Sequence, residues 1–503
     1  MARLVFGTDK TASVPAKVVE VGPAYYIEKT DNGHGLLQQG SSIINLSGIT
    51  SIGWYALAYA YCSNSNITGA VDLSNITTVQ SNGLAHAFEN CDGITSIDLS
   101  GLVNTNGRSC DSICYHCTSL TSADLSGLIT IKSTFDFSNA FQDCTALTSF
   151  DLSNLEYNSG GNSSMAGMFQ GCTGLTTANL PSLVAIYASS GSNSNQITFK
   201  GCTGLTSANL GSLVYIGGVG NACTQMFNGD TNLATVDISK LAKISGNYAL
   251  NYTFYNCTSL TSLSFNNLAY TNTNFNGVFA NTLSGVTGCT VHFPAEWQTT
   301  MANWSNIING MGGTNTTVLF DLPNVRKLDL TSIKVIRNNV FKEFANNNYF
   351  PNIISVDLSG LKTIRADSAC TKMFYNCSNI TSVDLSNLEE FASGWGYECF
   401  ADAFYGTGIT SMTFNSLSSM KFGQVLRRAF AGCTALTSLS FPALTSTSFG
   451  TYTNQFNNML SGVSGCTVHF PSNLQSVIGS WSDVTAGFGG TNTTVLFDLT
   501  ATE

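Results

Sequence analysis

The chain has 503 residues, more than a single hydrophobic core usually serves, and only 10% of them are charged. Its 20 basic and 30 acidic residues give a net charge of −10 without any cluster of Lys or Arg, which argues against nucleic-acid binding. Aromatic residues make up 11% of the chain, so the composition is also unlike that of a disordered protein.

Residues 1–40 do not follow the pattern of the rest of the chain. Three apolar stretches, at 4–6, 17–21 and 25–27, predict short strands. The first 30 residues lack the apolar core of a signal peptide, and no apolar run approaches the ~20 residues of a membrane span. We therefore expect no signal peptide and no membrane insertion, and we interpret 1–40 as an attachment or capping segment.

From about residue 41, the phrase Phe-x-x-Cys-x-x-Leu-Thr-Ser-x-Asp-Leu returns every 26 to 30 residues, as in the copy from Phe141 to Leu152. A fixed period of this length indicates a solenoid. The Cys position serves as the anchor of each coil. In two runs it is occupied by Cys62, Cys91, Cys117, Cys144, Cys172, Cys202, Asp230 and Cys257, and by Phe350, Cys377, Gly406 and Cys433.

Each coil is predicted to contain one strand and one short helix, which makes the fold class an α/β solenoid. The strand lies in Leu-Thr-Ser-x-Asp-Leu, where polar and apolar residues alternate. The helix precedes the anchor, as in 165–171, because the positions seven and three residues before the anchor would share a helix face. Neither element can bury its apolar side alone, so the coils must stack.

The sixteen cysteines fall in columns that we expect to be internal. Such columns predict small, buried side chains with free thiols, and a chain that folds in the reducing cytoplasm. Cys110, Cys114 and Cys117, with His116, also have a spacing that suits zinc. The repeat alone explains that spacing, so we expect no metal site and no cofactor.

Two segments of the chain correspond at an offset of 177 residues, 283–322 and 460–499, and match most closely at their two ends. Each predicts a strand (Thr-Val-His-Phe), a helix containing Trp304 or Trp481, and a second strand (Thr-Val-Leu-Phe). An open solenoid end needs a cap, and these segments are the candidates. The predicted parts are 1–40, solenoid 41–322 with cap 281–322, solenoid 323–499 with cap 458–499, and a tail at 500–503.

The candidate binding site is a polar column on the strand face. Its acidic members are Asp72, Asp98, Asp124, Asp151, Asp237, Asp357 and Asp384, with Asp72 included if the first coil carries a three-residue insertion after Cys62. Like charges on adjacent strands repel each other. Two interpretations stay open: a solvated face whose Asp residues bond to the local backbone, or a surface for a ligand or cation.

No residue is predicted to be catalytic. Adjacent carboxylates about 5 Å apart match the spacing of retaining glycosidases. The same pair recurs along the column, however, and no single acid is set in an apolar pocket. His292 and His469 occupy equivalent cap positions and are predicted to be structural. The sequence contains neither a P-loop nor a Rossmann fingerprint.

The repeat resembles the BspA-like leucine-rich repeats. The segments that carry the resemblance are Ala140-Phe141-Gln-Asp-Cys144-Thr-Ala-Leu147, Ala429-Phe430-Ala-Gly-Cys433-Thr-Ala-Leu436 and Asn179-Leu180-Pro181. This chain departs from the family pattern in its longer coils, in which Ser-Gly or Ser-Asn often replaces the Pro. The resemblance implies a curved or twisted solenoid with roles in adhesion, binding of host matrix or glycans, and cell–cell contact, without shared catalytic residues.

Three functions are compatible with this sequence. The first is a non-enzymatic phage virion appendage, a fibre or receptor-binding protein, whose N-terminal segment contacts other virion proteins and whose repeats bind a host-surface glycan or protein. Its opening residues, Met1 to Lys10, resemble those of gut-phage structural proteins. The alternatives are a bacterial surface or secreted adhesin, and an intracellular scaffold or enzyme. A homo-oligomer would suit a fibre, although no coiled-coil heptads support one.

Overall fold

In a computed structural model of the protein, the described residues are 2–5, 17–19, 25–28, 48–158, 163–188, 198–218, 221–271, 275–300, 309–337, 339–345, 350–392, 398–449, 454–476 and 487–500. The chain divides into two compact units. Unit 1 contains Met1–Asn266 and Thr271–Leu322, and unit 2 contains Asn267–Tyr270 and Pro323–Glu503.

The strands of the Leu-Thr-Ser-x-Asp-Leu segments, together called the first ladder, form sheets of three or four strands in which neighbouring coils pair in parallel, as predicted. In unit 1 its strands are Gly69–Asp72, Ile94–Asp98, Ser122–Asp124, Ser149–Asp151, Thr177–Asn179, Ser207–Asn209, Thr235–Asp237, Ser262–Ser264, Thr290–Pro294 and Thr317–Leu322. In unit 2 they are Lys327–Asp329, Ser355–Asp357, Ser382–Asp384, Ser411–Thr413, Ser438–Ser440, Thr467–Pro471 and Thr494–Leu499.

A second ladder of mostly two-residue strands follows the first around each coil. Its strands are Ile49–Ile52, Thr78–Val79, Asn104–Thr105, Thr130–Ile131, Tyr157–Asn158, Ala185–Ala188, Tyr215–Gly218, Lys243–Ile244, Tyr270–Thr271, Val335–Ile336, Thr363–Ile364 and Glu390–Phe391. Three N-terminal strands, Ala2–Val5, Lys17–Val19 and Tyr25–Glu28, extend this ladder at Ile49–Ile52. They coincide with the apolar stretches of residues 1–40, and Ala2–Val5 pairs with Lys17–Val19 in antiparallel orientation.

The fold is therefore a parallel-strand β-solenoid with little helix, and the prediction of a helix in each coil is wrong for the described coils. The segment before each anchor is a run of hydrogen-bonded turns. In the coil of Cys91, Ala87 N donates to Leu84 O (3.1 Å), whereas the next amide, Phe88 N, donates to Ile113 O of the following coil (2.8 Å). An α-helix would direct all of these amides to carbonyls four residues earlier in the same coil.

Helical residues are confined to short segments. The structure describes α-helices at Phe275–Val278 and Trp297–Thr300 and 3-10 helices at Asn339–Phe341, Ser446–Ser448 and Ser472–Ser476. The predicted cap strands are present at Thr290–Pro294 and Thr317–Leu322 and again at Thr467–Pro471 and Thr494–Leu499. Trp304 and Trp481, which the sequence placed in cap helices, lie outside the described residues.

Every fourth residue of a turn run adopts the left-handed backbone conformation, as at Asn82, His86 and Asn90, with φ of 56°, 57° and 56°. The residues between them point inward, so Leu84 and Phe88 are both fully buried. The positions seven and three residues before the anchor thus share a buried face, as predicted. The cause is the four-residue period of the turns, and no helix is involved.

Two columns of side chains recur in the core of the coils in both units. The aromatic column stacks Phe141, Phe169, Phe199 and Phe227 at centroid distances of 5.4 to 5.6 Å. The anchor column carries thiols that donate to a backbone carbonyl of the preceding coil. These Sγ–O distances run from 2.9 to 3.2 Å for Cys91, Cys117, Cys144, Cys172, Cys202, Cys257, Cys377 and Cys433. Cysteine suits this column because it is small and still offers a weak donor.

Two anchors differ from the prediction. In the first coil Tyr61 stacks on Phe88 in the aromatic column (5.3 Å), which puts buried Asn64 at the anchor and leaves Cys62 half-buried. The insertion before Asp72 is therefore a single-residue bulge near Gly69 and not three residues. In unit 2, Thr407 is buried at the anchor and its Oγ1 contacts Cys433 Sγ (3.3 Å), so Gly406 is not the anchor.

Candidate functional site on the strand face

Four of the predicted aspartates form one continuous row across the first ladder. Asp72 pairs in register with Asp98, Asp98 with Asp124, and Asp124 with Asp151. Adjacent parallel strands lie about 4.8 Å apart, so the four carboxylates line one face at that spacing. We call these four residues the acidic row. Asp72 is exposed and the other three are half-buried.

Each carboxylate of the acidic row uses one oxygen to fix its own turn. Oδ1 accepts the backbone N–H two residues later, at 2.8 to 3.0 Å, from Ser74, Ser100, Ser126 and Ser153. These Asx turns end the strand. The hydroxyl and amide of Ser74 lower the pKa of Asp72. Within the described part of the chain, no protein group donates to Oδ2 of Asp98, Asp124 or Asp151. Those oxygens remain available to water or to a ligand.

The Asx turn does not require a charge. Asn209 occupies the same column, and its Oδ1 accepts the N–H of Gly211 (3.2 Å) as the aspartates do. Its Nδ2 also donates to Oδ1 of Asn179 on the neighbouring strand (2.8 Å), which like-charged carboxylates cannot do. Aspartate in the acidic row therefore carries an electrostatic cost that asparagine would avoid.

Next to these asparagines the strand face contains a depression of about 490 Å³. Asn209, Asp237 and Ser264 line it, together with the hydroxyls of Ser207, Thr235 and Ser239. Asp237 is exposed, and its Oδ1 accepts the N–H of Ser239 (3.0 Å). The lining thus offers hydroxyls, amides and one carboxylate, a set that suits a polyhydroxylated or peptidic ligand.

In unit 2 the corresponding row holds Asp329, Asp357 and Asp384 in register. Here the charge is partly neutralised, because Lys327 Nζ lies 2.7 Å from Asp357 Oδ2. Burial raises the pKa of Asp357, but the Lys327 contact and hydrogen bonds from Ser359 outweigh it, so the pKa falls below its ordinary value. The sequence prediction missed Asp329, although its Leu328-Asp-Leu330 triplet is the same signal in a coil without the Phe and Cys landmarks.

The cap strands place a serine, a histidine and a carboxylate side by side. Ser264 pairs in register with His292, whose Nδ1 lies 2.9 Å from Asp321. The same arrangement recurs in unit 2 with Ser440, His469 and Asp498. Asp321 and Asp498 were not predicted. In both sets the structure records no hydrogen bond between the serine and the histidine, and all side chains are at least partly exposed. The sets therefore lack an activated nucleophile.

The described residues contain no group of three or more His, Cys, Asp or Glu that could hold a metal ion. Cys110, Cys114 and Cys117 are buried free thiols, and burial raises the pKa of Cys110 and Cys114 well above the ordinary thiol value. No helix among the described residues is long and apolar enough to cross a bilayer.

Parallel strands, one short repeat per coil and stacked core columns define a leucine-rich-repeat solenoid. The sequence matches the BspA type leucine rich repeat region (6 copies) over residues 50–198, 113–249, 195–287 and 367–480. These matches cover more than half of the chain, which belongs to the BspA-type leucine-rich repeat family.

Several solved structures are similar to this chain. A leucine-rich repeat protein from Bacteroides ovatus ATCC 8483 is 18% identical, with 85% of this chain and 91% of that chain covered and a TM-score of 0.29. The TLR13–ssRNA13 complex is 14% identical, with 90% of this chain and 61% of that chain covered and a TM-score of 0.24. The mouse RP105/MD-1 complex is 13% identical, with 95% of this chain and 91% of that chain covered and a TM-score of 0.18. No curated protein matches the chain significantly.

Proposed function

We propose that this protein is a non-enzymatic binding or adhesion protein that presents the strand face to a host-surface glycan or protein. The observation that carries the proposal is the acidic row, in which four in-register carboxylates keep an electrostatic cost that asparagine would remove. Within the described chain, the second carboxylate oxygen of Asp98, Asp124 and Asp151 has no protein donor. These oxygens can therefore accept hydrogen bonds from a ligand.

The proposal that the protein is not an enzyme follows from the same face. The serine, histidine and aspartate sets lie on an open sheet surface, and Asp321 and Asp498 are about half exposed (48% and 46%). Catalytic groups of this type act in a site that excludes water and aligns the nucleophile with its base. The histidines instead contact a neighbouring carboxylate through Nδ1 at the last strands of each unit.

We further propose that the protein is a phage virion appendage, with bacterial surface or secreted adhesin as the alternative. All sixteen cysteines are free and fifteen of them are buried. A chain exported through an oxidising compartment would risk mispairing of these thiols, whereas a virion protein folds in the reducing cytoplasm and is released by lysis. The N-terminal strands, which extend the second ladder, are then the segment that contacts other virion proteins.

The two homologous strand pairs, Thr290–Pro294 with Thr317–Leu322 and Thr467–Pro471 with Thr494–Leu499, are proposed as caps of two tandem modules. Each pair ends a sheet of its unit, and a His–Asp contact joins its inner strand to its outer strand. A cap shields the apolar end of a solenoid and the unpaired edge of its last strand.

Immunogold imaging of particles and cells from the source tests the virion assignment, with antibody raised against residues 41–322. Label at a fixed position on virions is expected, and label confined to bacterial cells would refute the assignment.

Adsorption to host cells tests the binding face separately. The double variant Asp98→Asn with Asp124→Asn should weaken adsorption, whereas Asp92→Asn, an exposed aspartate outside the row, should not. Equal adsorption by all three proteins would refute the role of the acidic row.

A further inference from the structure

The first coils carry bulky side chains at backbone positions that disfavour them. The left-handed conformation brings Cβ close to the following carbonyl, so glycine and asparagine adopt it most readily. In the inner coils of unit 1 these positions hold residues of every size, from Gly167 to Phe135 and Tyr252. In the first coil they hold Tyr55 and Tyr59, with φ of 53° and 57°. Backbone strain is thus common to the turn runs, and the first coil differs in that it exposes two adjacent aromatic side chains, Trp54 and Tyr55.

These strained side chains belong to an exposed aromatic surface. Trp54 is 58% exposed and Tyr55 is 43% exposed, both large values for aromatic residues. Four residues after Tyr55 on the same turn run, Tyr59 stacks on His86 of the next coil, with ring centroids 4.4 Å apart and planes 6° from parallel. We call Trp54, Tyr55, Tyr59 and His86 the aromatic patch. It lies on the turn runs and not on the strand face.

Polar groups border the aromatic patch on the side of the next coils. The indole N–H of Trp54 donates to Gln80 Oε1 (3.3 Å), which also accepts from Asn106 Nδ2 (3.4 Å). His86 Nδ1 contacts the carboxylate of Glu89. Burial, then the negative charges of Glu89 and Asp111, raise the pKa of Tyr59, so its phenol stays a donor at neutral pH.

We infer that the aromatic patch binds a neutral glycan. A pyranose ring presents a face of C–H groups that packs on an aromatic ring, while its hydroxyls point outward to polar groups in the same plane. Tyr and Trp supply apolar area and a polar handle, and the amides of Gln80 and Asn106 with the Glu89 carboxylate supply both donors and acceptors. An apolar partner would not use the hydrogen-bonding capacity that these groups retain after their contacts within the protein.

The charge around the patch selects neutral over acidic sugars. Glu89 borders the aromatic patch, and Asp111 is paired with Arg108 (3.1 Å), so two carboxylates beside the patch face one guanidinium. The whole chain adds a net charge of −10. Sialylated or sulfated glycans would therefore be repelled, whereas hexose- or N-acetylhexosamine-terminated glycans would not. The inference is independent of the virion assignment and of the acidic row.

Binding of the full-length protein to immobilised glycans tests the inference. The array carries glycans ending in β-galactose or N-acetylglucosamine, next to sialylated and sulfated forms of the same structures. We expect binding to the neutral set and weaker binding to the acidic set. Trp54→Ala and Tyr55→Asn should each weaken binding about tenfold or more, the cost of losing one central aromatic contact.

The Tyr55→Asn variant also separates binding from folding, because asparagine suits the left-handed backbone and should raise or maintain the unfolding temperature. The matched control is Tyr252→Asn, a left-handed tyrosine (φ 52°) in a distant coil, which should bind glycan as well as the wild type does. Absence of binding to the neutral set, preference for the acidic set, or unchanged binding by both patch variants would overturn the inference.

Discussion

Asp230 creates a pH-dependent weak point in the solenoid core. It occupies the anchor column between Cys202 and Cys257 and is fully buried. Burial raises the pKa of its carboxyl to about 9 from an ordinary 3.8, against the smaller opposing effect of the Cys202 and Gly201 amides. Neither of its oxygens completes a hydrogen bond with the described residues. At neutral pH this carboxyl is therefore protonated in the folded chain, whereas it is ionised in the unfolded chain.

The sign of the effect follows from proton counting. Between about pH 4 and about pH 9 the folded state binds the Asp230 proton and the unfolded state does not, so the free energy of unfolding falls as pH rises. The contribution is fully present below pH 4 and is lost as pH rises through the folded pKa. One proton corresponds to about 1.4 kcal/mol per pH unit, which sets an upper limit of about 4 kcal/mol between pH 5 and pH 8.

Urea unfolding at pH 5, 6, 7 and 8, followed by circular dichroism, measures this slope. Asp230→Cys restores the residue of the column and Asp230→Asn keeps the shape without the charge, so both should flatten the pH dependence and stabilise the chain most at pH 8. Asp237→Asn, an exposed aspartate of the same coil, should keep the wild-type slope. A wild-type slope retained in both Asp230 variants would refute the assignment of the buried proton.

Three other measurements test the core and the acidic row. In the native protein only Cys62 should react with a thiol reagent, and its reaction should become faster as the pH approaches 9, because burial raises its pKa. In denaturant all sixteen cysteines should react. Several reactive thiols in the native protein would contradict the buried anchor column. Asp124→Asn keeps the Asx turn and should raise the free energy of unfolding by about 0.5 kcal/mol at low salt. The gain should become small near 1 M salt, where charge repulsion is screened. A lower free energy of unfolding in this variant would show that the carboxylate charge does not destabilise the row. Phe169→Ala should cost about 3–5 kcal/mol, because Phe169 stacks between Phe141 and Phe199; a loss below 1 kcal/mol would refute the aromatic column as the core.

The repeat predicted the strand ladder and its register because a one-residue shift would turn every apolar side chain outward. The repeat predicts that Asp98, Asp124 and Asp151 lie on adjacent strands, and the structure pairs them. It failed on the segment before the anchor, because a four-residue spacing of inward residues fits a helix face and a turn run equally well. The glycines at Gly167 and Gly171 carried the missing signal, since helices disfavour glycine and left-handed turns favour it.

The first coil shows a second limit of the sequence pattern. Counting back from Cys91 by the usual period points to Cys62, but Tyr61 packs on Phe88 and brings Asn64 to the anchor. A terminal coil is contacted on one side by a different segment and departs from the repeat more than inner coils do. Likewise Asp321 and Asp498 fall outside the repeat, and only their pairing with His292 and His469 reveals them.

Charge is arranged differently on the two faces, and the difference bears on which face carries a ligand. On the turn runs of unit 2, inter-coil hydrogen bonds align Glu343, Lys372, Asp402 and Arg428 in one row, so the sign alternates from coil to coil, and Arg428 lies 3.1 Å from Asp402. Alternation is what stability alone favours when charged residues must stack at one-coil spacing. The acidic row on the strand face of unit 1 has four charges of one sign, although Asn209 fulfils the same turn role without charge. The acidic row lowers stability and is not required by the turn geometry. A partner that donates hydrogen bonds to its carboxylates explains why the row is present. The acidic row, and not the alternating row, is therefore the one to mutate first.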